Sequence, residues 1–331
     1  MENGVSPQPP PPAQESPAAP ELETALSGTE SAGAAATALQ RHTCYDLLPV
    51  SYKVIVFDTS LPVKKALAAL LQHGVQSAPL WDSNSMRFAG MLTDFINLIR
   101  HYYTNTSYDN ALEEIEQLQI SGLREIQQKM GLLRPRNIAI HPMQTLYEAS
   151  KLLLKDHLHR LPLVDRVGNQ ETIVSVVTQY KILKYLAANA PAVTKLDTQL
   201  RDLGIGTFEN LATATASTPL IEVLNLFIER KISAVPIVDE KGFVLDVYEK
   251  YDVLMLAREG AFYDLEMPVS EALVKRAPDF EGIHTCTMSD TLGQVLETIR
   301  RMPVHRFIVV EDNTLKGVVS LSDLLSYLIN H

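Results

Sequence analysis

Cysteine is nearly absent from this chain: Cys44 and Cys286 are the two in 331 residues. They stand far apart and in no CxxC arrangement, so neither a disulfide framework nor a zinc site is indicated, and a reducing, intracellular compartment is expected. Positive charge is also scarce. Lys and Arg number 29 against 39 Asp and Glu, a formal net charge of -10, which argues against non-specific binding to nucleic-acid phosphates. A small anion in a local basic cleft is still compatible with that balance. No apolar run is long enough to cross a bilayer, and MENGVSPQPP carries no basic-then-apolar signal pattern. There is no GxxxxGK[ST] loop, no metal-ligand cluster and no nucleophile-base-orienter set, so the sequence offers no machinery for an enzyme acting on nucleotides.

What is present is a repeat. Hydrophobic residues make up 46% and charged residues 21%, the profile of a globular chain long enough for two ordinary domains. Residues 1–40 are rich in Pro, Ala, Ser and Glu, lack large apolar side chains, and are expected to form a disordered arm. Beyond them the pattern of helix, short Pro-containing strand, polar turn, strand and helix recurs four times. The copies are PVKKALAALLQHGVQSAPLWD with FAGMLTDFINLI, TLYEASKLLLKDHLHRLPLVD with TIVSVVTQYKILKYL, PLIEVLNLFIERKISAVPIVDEKG with FVLDVYEKYDVLMLA, and TLGQVLETIRRMPVHRFIVVEDN with LKGVVSLSDLLSYL. Apolar residues recur at helical steps, as in Val223, Leu226 and Phe227, while the strands are short and rich in Val and Ile. Each copy is too small to hide its apolar face alone. The copies are therefore expected to pair.

These four copies resemble cystathionine-β-synthase (CBS) modules, which associate as tandem pairs called Bateman domains. The strings CYDLLPVSYKVIVFDTSLPVKKAL, APLWD, HRLPLVD, SAVPIVDEKG, DFEG, VHRFIVV and GVVSLSDLL are further similar to the gamma regulatory subunits of AMP-activated protein kinase, in their fungal branch. The resemblance runs from about Thr43 to His331. It implies an α/β (α+β) chain of four βαββα CBS modules arranged as two Bateman pairs in a disc. The modules would span 41–104, 134–190, 197–262 and 268–331, with a helical linker over 105–133. It also implies a non-catalytic subunit that binds AMP, ADP or ATP as regulatory ligands, with no metal or redox cofactor. Its partners would be a kinase catalytic (alpha) subunit and a scaffold (beta) subunit in a cytoplasmic and nuclear heterotrimer. The alternatives are a CBS scaffold with vestigial sites, or a sensor of another adenosyl ligand.

Candidate site residues follow the repeat. Asp94, Asp252 and Asp323 fall at equivalent positions opening each module's last helix, where the second copy has Lys181. A carboxylate there can cap the helix or accept bonds from the two hydroxyls of a ribose, the role that the resemblance assigns. Lys181 accepts no hydrogen bond, so the second site is expected to be empty. The pairs His159-Arg160 and His305-Arg306 sit between helix and strand in alternate copies. They suit a helix C-terminus, and by resemblance reach phosphates, for which a guanidinium fork is well shaped. Also by resemblance, Ser233 and Ala234 let adenine approach the third site and Arg276 contacts its phosphate. Thr207, Asn210 and Ala212 form the adenine loop of the fourth site, where Ser320 and Ser322 flank Asp323. Met91 and Thr93 accompany Asp94 in the first site. That site departs from the pattern: GMLTDF has two residues fewer than its counterpart in copy four, and Gln76 and Tyr180 replace an Arg and a Lys of animal relatives. It is expected to bind weakly or not at all. Glu249 stands in place of a small hydroxyl and would repel a phosphate that it faced.

Overall fold

In the computed structural model of the chain, the described residues are 28–92, 96, 99, 117–129, 138–190, 193, 196–258, 264–276, 280 and 282–330. The elements follow the repeat. An entering helix, α1 (Gly28–Arg41), precedes module one, which consists of β1 (Phe57–Asp58), α2 (Val63–Gln72), β2 (Ala78–Asp82) and β3 (Arg87–Leu92). A helix α3 (Ile120–Lys129) follows, then module two with α4 (Leu146–Lys155), β4 (Arg160–Val167), β5 (Gln170–Thr178) and α5 (Gln179–Asn189). A short α6 (Leu200–Leu203) leads to module three: α7 (Leu220–Glu229), β6 (Ala234–Val238), β7 (Val244–Glu249) and α8 (Lys250–Arg258). Module four follows α9 (Val269–Val274) with β8 (Thr285–Cys286), α10 (Leu292–Arg301), β9 (Arg306–Glu311), β10 (Thr314–Ser320) and α11 (Leu321–Asn330).

Every module is built around one antiparallel hairpin with a parallel neighbour. In modules one and four the neighbour is a strand, pairing Phe57 with Leu80 and Thr285 with Ile308. In modules two and three it shrinks to a single bridge, Ile140 to Leu163 and Ala214 to Ile237. Local chemistry sets the boundaries. Asp312 and Asn313, both at positive φ, make the two-residue turn between β9 and β10, a conformation that Asp and Asn tolerate and that matches hairpin twist. Thr145 with Glu148 and Thr291 with Gln294 form capping boxes at α4 and α10, satisfying amides that a helix start leaves free.

The four modules close into a ring. Sheets join modules one and two, where the Phe88 amide donates to Glu171 at 2.8 Å. They also join modules three and four, where Thr207 pairs with Val318 and Phe243 with Thr314. Each seam is reinforced by the segment entering its first module. Cys44 donates its amide to Gln144 O in module two, and Leu200 to Asp290 O in module four. Helices join the two pairs. One core contains α4 and α5 of module two with α10 and α11 of module four. On the other side Leu254 of module three enters the core of module one, and Ile96 and Ile99 enter that of module three. Apolar faces that one module cannot cover are thus covered by two neighbours.

Order begins earlier than the composition of the arm implies. Helix α1 covers 28–41, and its Ala35 and Leu39 are buried in the core shared by modules two and four. The Pro-rich stretch ends at Pro20. The following Ala-rich stretch favours helix, and its small side chains let it approach the ring closely.

Candidate functional site

The strand-to-helix junctions of modules two, three and four superpose in hairpin register. Thr178 lies opposite Arg160, Glu249 opposite Ala234 and Ser320 opposite Arg306. Two residues earlier, Val176, Val247 and Val318 occupy matching positions, opposite Pro162, Pro236 and Ile308. Each of these three carbonyls is satisfied differently. Val176 O accepts from the Lys181 ammonium at 2.8 Å. Val247 O accepts from the Arg276 guanidinium. Val318 O accepts from the Thr207 amide at 2.9 Å.

Module four keeps an open arrangement. Asp323 accepts from the Ser320 amide at 2.8 Å and hydroxyl at 2.6 Å, and among the described residues no basic side chain meets it. The loop carrying Thr207, Asn210 and Ala212 lies along β10 through the reciprocal Thr207–Val318 bonds. Asn210 adopts φ 50°, a left-handed conformation that Asn accepts more readily than most residues. Phe208 lies on Gly317, where an added Cβ would fall 2.8 Å from Thr207 O; the loop needs that glycine. Ser322 donates to Gln179 of module two at 3.0 Å, and the Gln179 side-chain amide donates to Leu158 O at 2.9 Å. The fourth junction is therefore tied to the segment bearing His159 and Arg160.

Module three is internally closed. Asp252, 4% exposed, accepts from Arg276 Nε at 2.9 Å and Nη2 at 2.8 Å, and from the Glu249 amide at 2.7 Å. Arg276 also donates to Asp246 at 2.9 Å and stacks on Phe280 at 3.9 Å. Burial pushes the Asp252 carboxyl up, and the guanidinium opposes that by favouring the ionised form. Asp252 and Arg276, expected on the ribose and the phosphate of one site, lie within hydrogen-bond reach of each other. A guanidinium fork matches the two oxygens of a carboxylate in this bidentate geometry.

The two arginines that follow histidine leave their own modules. Arg160 of module two donates to Gln76 of module one at 2.7 Å. Arg306 of module four is ion-paired with Glu249 of module three and donates to Ser233 at 3.2 Å. The backbone of Arg306 lies opposite Ser320, and its guanidinium crosses the seam to a carboxylate of module three. Glu249, expected to repel a phosphate that it faced, is the partner of this arginine. Ala234 lies opposite Glu249 in the hairpin.

His159 and His305 are solvent-accessible yet ringed by protein, as groups lining a recess are. Burial depresses both, and His305 falls to about 4 with Arg306 and Arg160 adding to the effect. Glu249 acts on His305 in the opposite direction. Tyr180 meets the His305 ring edge-on at 6.0 Å and donates to Met302 O at 3.3 Å. The recess thus concentrates cations and neutral imidazoles from modules two and four, with one carboxylate from module three. Met91 ends near the first junction, opposite Pro79; Thr93 and Asp94 lie outside the described residues. Among the described residues no three His, Cys, Asp or Glu side chains gather as a metal site, and no helix is long and apolar enough to cross a membrane.

Comparison with known proteins gives this geometry a context. The CBS domain family matches residues 130–188, 201–259 and 279–330, which fall on the second, third and fourth modules. The chain is 44% identical over 296 residues to the 5'-AMP-activated protein kinase subunit gamma of Saccharomyces cerevisiae, covering 88% of this chain and 91% of that protein. It is 45% identical over 297 residues to the subunit of the same name from Kluyveromyces lactis, covering 88% and 90%. Among solved structures, a Methanocaldococcus jannaschii protein offered as an archaeal homolog of g-AMPK superposes with a TM-score of 0.66 at 14% identity. That superposition covers 86% of this chain and 99% of the other, and bears on the fold alone. With four CBS-type modules closed in a ring and relatives of this identity over nearly their whole length, the chain belongs to the family of gamma subunits of 5'-AMP-activated protein kinase.

Proposed function

We propose that this chain is the non-catalytic, adenine-nucleotide-binding regulatory subunit of a heterotrimeric Ser/Thr protein kinase, working in the cytoplasm and nucleus with a catalytic (alpha) and a scaffold (beta) subunit. AMP, ADP and ATP compete for it, and their differential contacts bias the kinase between states. A ligand bound equally well by both states would shift nothing. The observation that carries the reading is the fourth junction. Among the described residues Asp323 is engaged by Ser320 alone, which leaves acceptor capacity for vicinal hydroxyls. The Thr207–Ala212 loop lies along the same strand, and the recess of His159, Arg160 and His305 is close by. Module two offers an ammonium where the acceptor is needed, and module three has its acceptor closed by Arg276. Among the described junctions, module four is the one that leaves its acceptor open to a nucleotide.

Calorimetric titration of the full chain with AMP tests this. Affinity on the order of micromolar is expected for the natural sequence, and its loss in Asp323→Ala. That variant removes one capping interaction, so it costs only about 1 kcal/mol of stability. Unchanged AMP binding by a folded Asp323→Ala chain would reject the assignment.

A further inference from the structure

Glu249 is the residue of this recess that neither the repeat nor capping accounts for. In hairpin register it occupies the place of Thr178 in module two and Ser320 in module four. Those two hydroxyls cap the helices that follow them, accepting from the amides of Lys181 at 3.1 Å and Asp323 at 3.3 Å. A capping residue is satisfied locally and its side chain is fixed. Glu249 makes no such bond. Asp252 accepts from the Glu249 amide, as Asp323 does from that of Ser320, and the Glu249 carboxylate turns across the seam to the Arg306 guanidinium. Both side chains are largely withdrawn from solvent, at 22% and 13% exposure, so the pair is weakly screened. The partner of the other outward-reaching arginine is a neutral amide: Arg160 meets Gln76. Of the two arginines that follow histidine, Arg306 meets a carboxylate and Arg160, among the described residues, a neutral amide.

We propose that Glu249 sets the phosphate-charge specificity of the recess: its carboxylate holds the Arg306 guanidinium as an internal stand-in for a phosphate, so that the recess is biased against the more highly charged nucleotides. The inference rests on the nucleotide-binding reading and deepens it. Any phosphate entering between His305 and Arg306 meets the carboxylate at close range. The resulting repulsion grows with ligand charge, from AMP through ADP to ATP. Displacing Glu249 from Arg306 would leave that carboxylate partly buried without a cation, which adds to the cost. Discrimination then comes from a repulsive element, as specificity often does.

The experiment is titration of the full chain with AMP, ADP and ATP in parallel, for the natural sequence and for Glu249→Gln. Glu249→Ser serves as a second neutral variant and Glu249→Asp as a charge-retaining one, with thermal unfolding to verify the fold. The neutral variants are expected to tighten all three ligands, most for ATP and least for AMP, with the ATP gain roughly tenfold, the worth of one charge-assisted bond. Glu249→Asp should keep the natural order, and adding Arg306→Gln to Glu249→Gln should erase the gain. An unchanged ratio of ATP to AMP affinity in folded neutral variants overturns the inference while leaving the nucleotide-binding reading intact. Binding in the neutral variants alone would overturn the reading for the natural chain and uphold the role of Glu249. Absence of binding throughout would overturn both.

Discussion

Modules three and four carry an Asp at the same point of the same repeat, and the two side chains lead different lives. Asp323 is half-buried and, among the described residues, accepts from the amide and hydroxyl of Ser320 alone. Asp252 is almost fully enclosed and carries two bonds from Arg276. The difference arises outside the repeat, from what reaches the preceding strand. In module three Arg276 bonds both Val247 O and the carboxylate; in module four the matching carbonyl takes the Thr207 amide and no guanidinium arrives. An acceptor at a helix start is therefore structural or available according to its neighbour, and identity of residue alone does not decide which.

The most severe way to probe this contrast is Arg276→Met. It leaves Asp252 buried without its cation, together with the lost bonds to Asp246 and Val247. Breaking one side of a buried pair costs roughly 3–5 kcal/mol, so chemical denaturation should show a large fall in stability with module-four AMP binding retained. Should the loss be under about 1 kcal/mol, the closed character assigned to module three is wrong.

Module four can be attacked through its glycine. Gly317→Val places side-chain atoms against Phe208 and Thr207 O, and overpacking of this kind costs about 1–3 kcal/mol. The displaced loop carries Thr207 and Asn210, so AMP binding should weaken well beyond the stability change. Phe208→Ala combined with Gly317→Val relieves the clash with the ring but not that with Thr207 O, and should restore part of the stability without restoring affinity. Equal affinity in Gly317→Val and the natural chain would detach the loop from the site.

The repeat itself was readable because its period survives in apolar spacing, and the pairing of modules followed from faces too apolar to stay bare. The junction aspartates and the HR pairs were visible for the same reason: they recur. What could not be read were contacts across seams, since strand alternation places a side chain on a face without saying which neighbouring module lies there. The repeat puts Arg306 at a junction without showing that it reaches Glu249, and it gives no sign that Arg276 meets Asp252, Asp246 and Val247 O. Glu249 did carry a signal. A charged residue standing where two copies have a hydroxyl is an exception within the repeat, and its partner lay one module away. Helix α1 is masked in the composition because Pro and Ala, which act oppositely in a helix, are both abundant in the first forty residues.

The gentlest probe uses pH. Burial and the neighbouring guanidinium groups lower His305 from an ordinary value near 6.5 to about 4, and His159 shifts in the same direction. The unfolded chain thus binds more protons than the folded one between those limits, so stability rises with pH across the window and levels off above about 6.5. Both imidazoles are solvent-accessible, which screens the effect and keeps it to a modest slope. Denaturation midpoints measured from pH 6.5 down to 4 should fall, and His305→Asn should flatten that fall without altering the plateau. An AMP phosphate beside the same imidazole stabilises its protonated form, so AMP binding should take up protons in this window, read as a dependence of the binding heat on buffer ionisation. If the slope persists undiminished in His305→Asn, the titration belongs to groups elsewhere in the ring, and the recess is not where modules two and four bring their charge together.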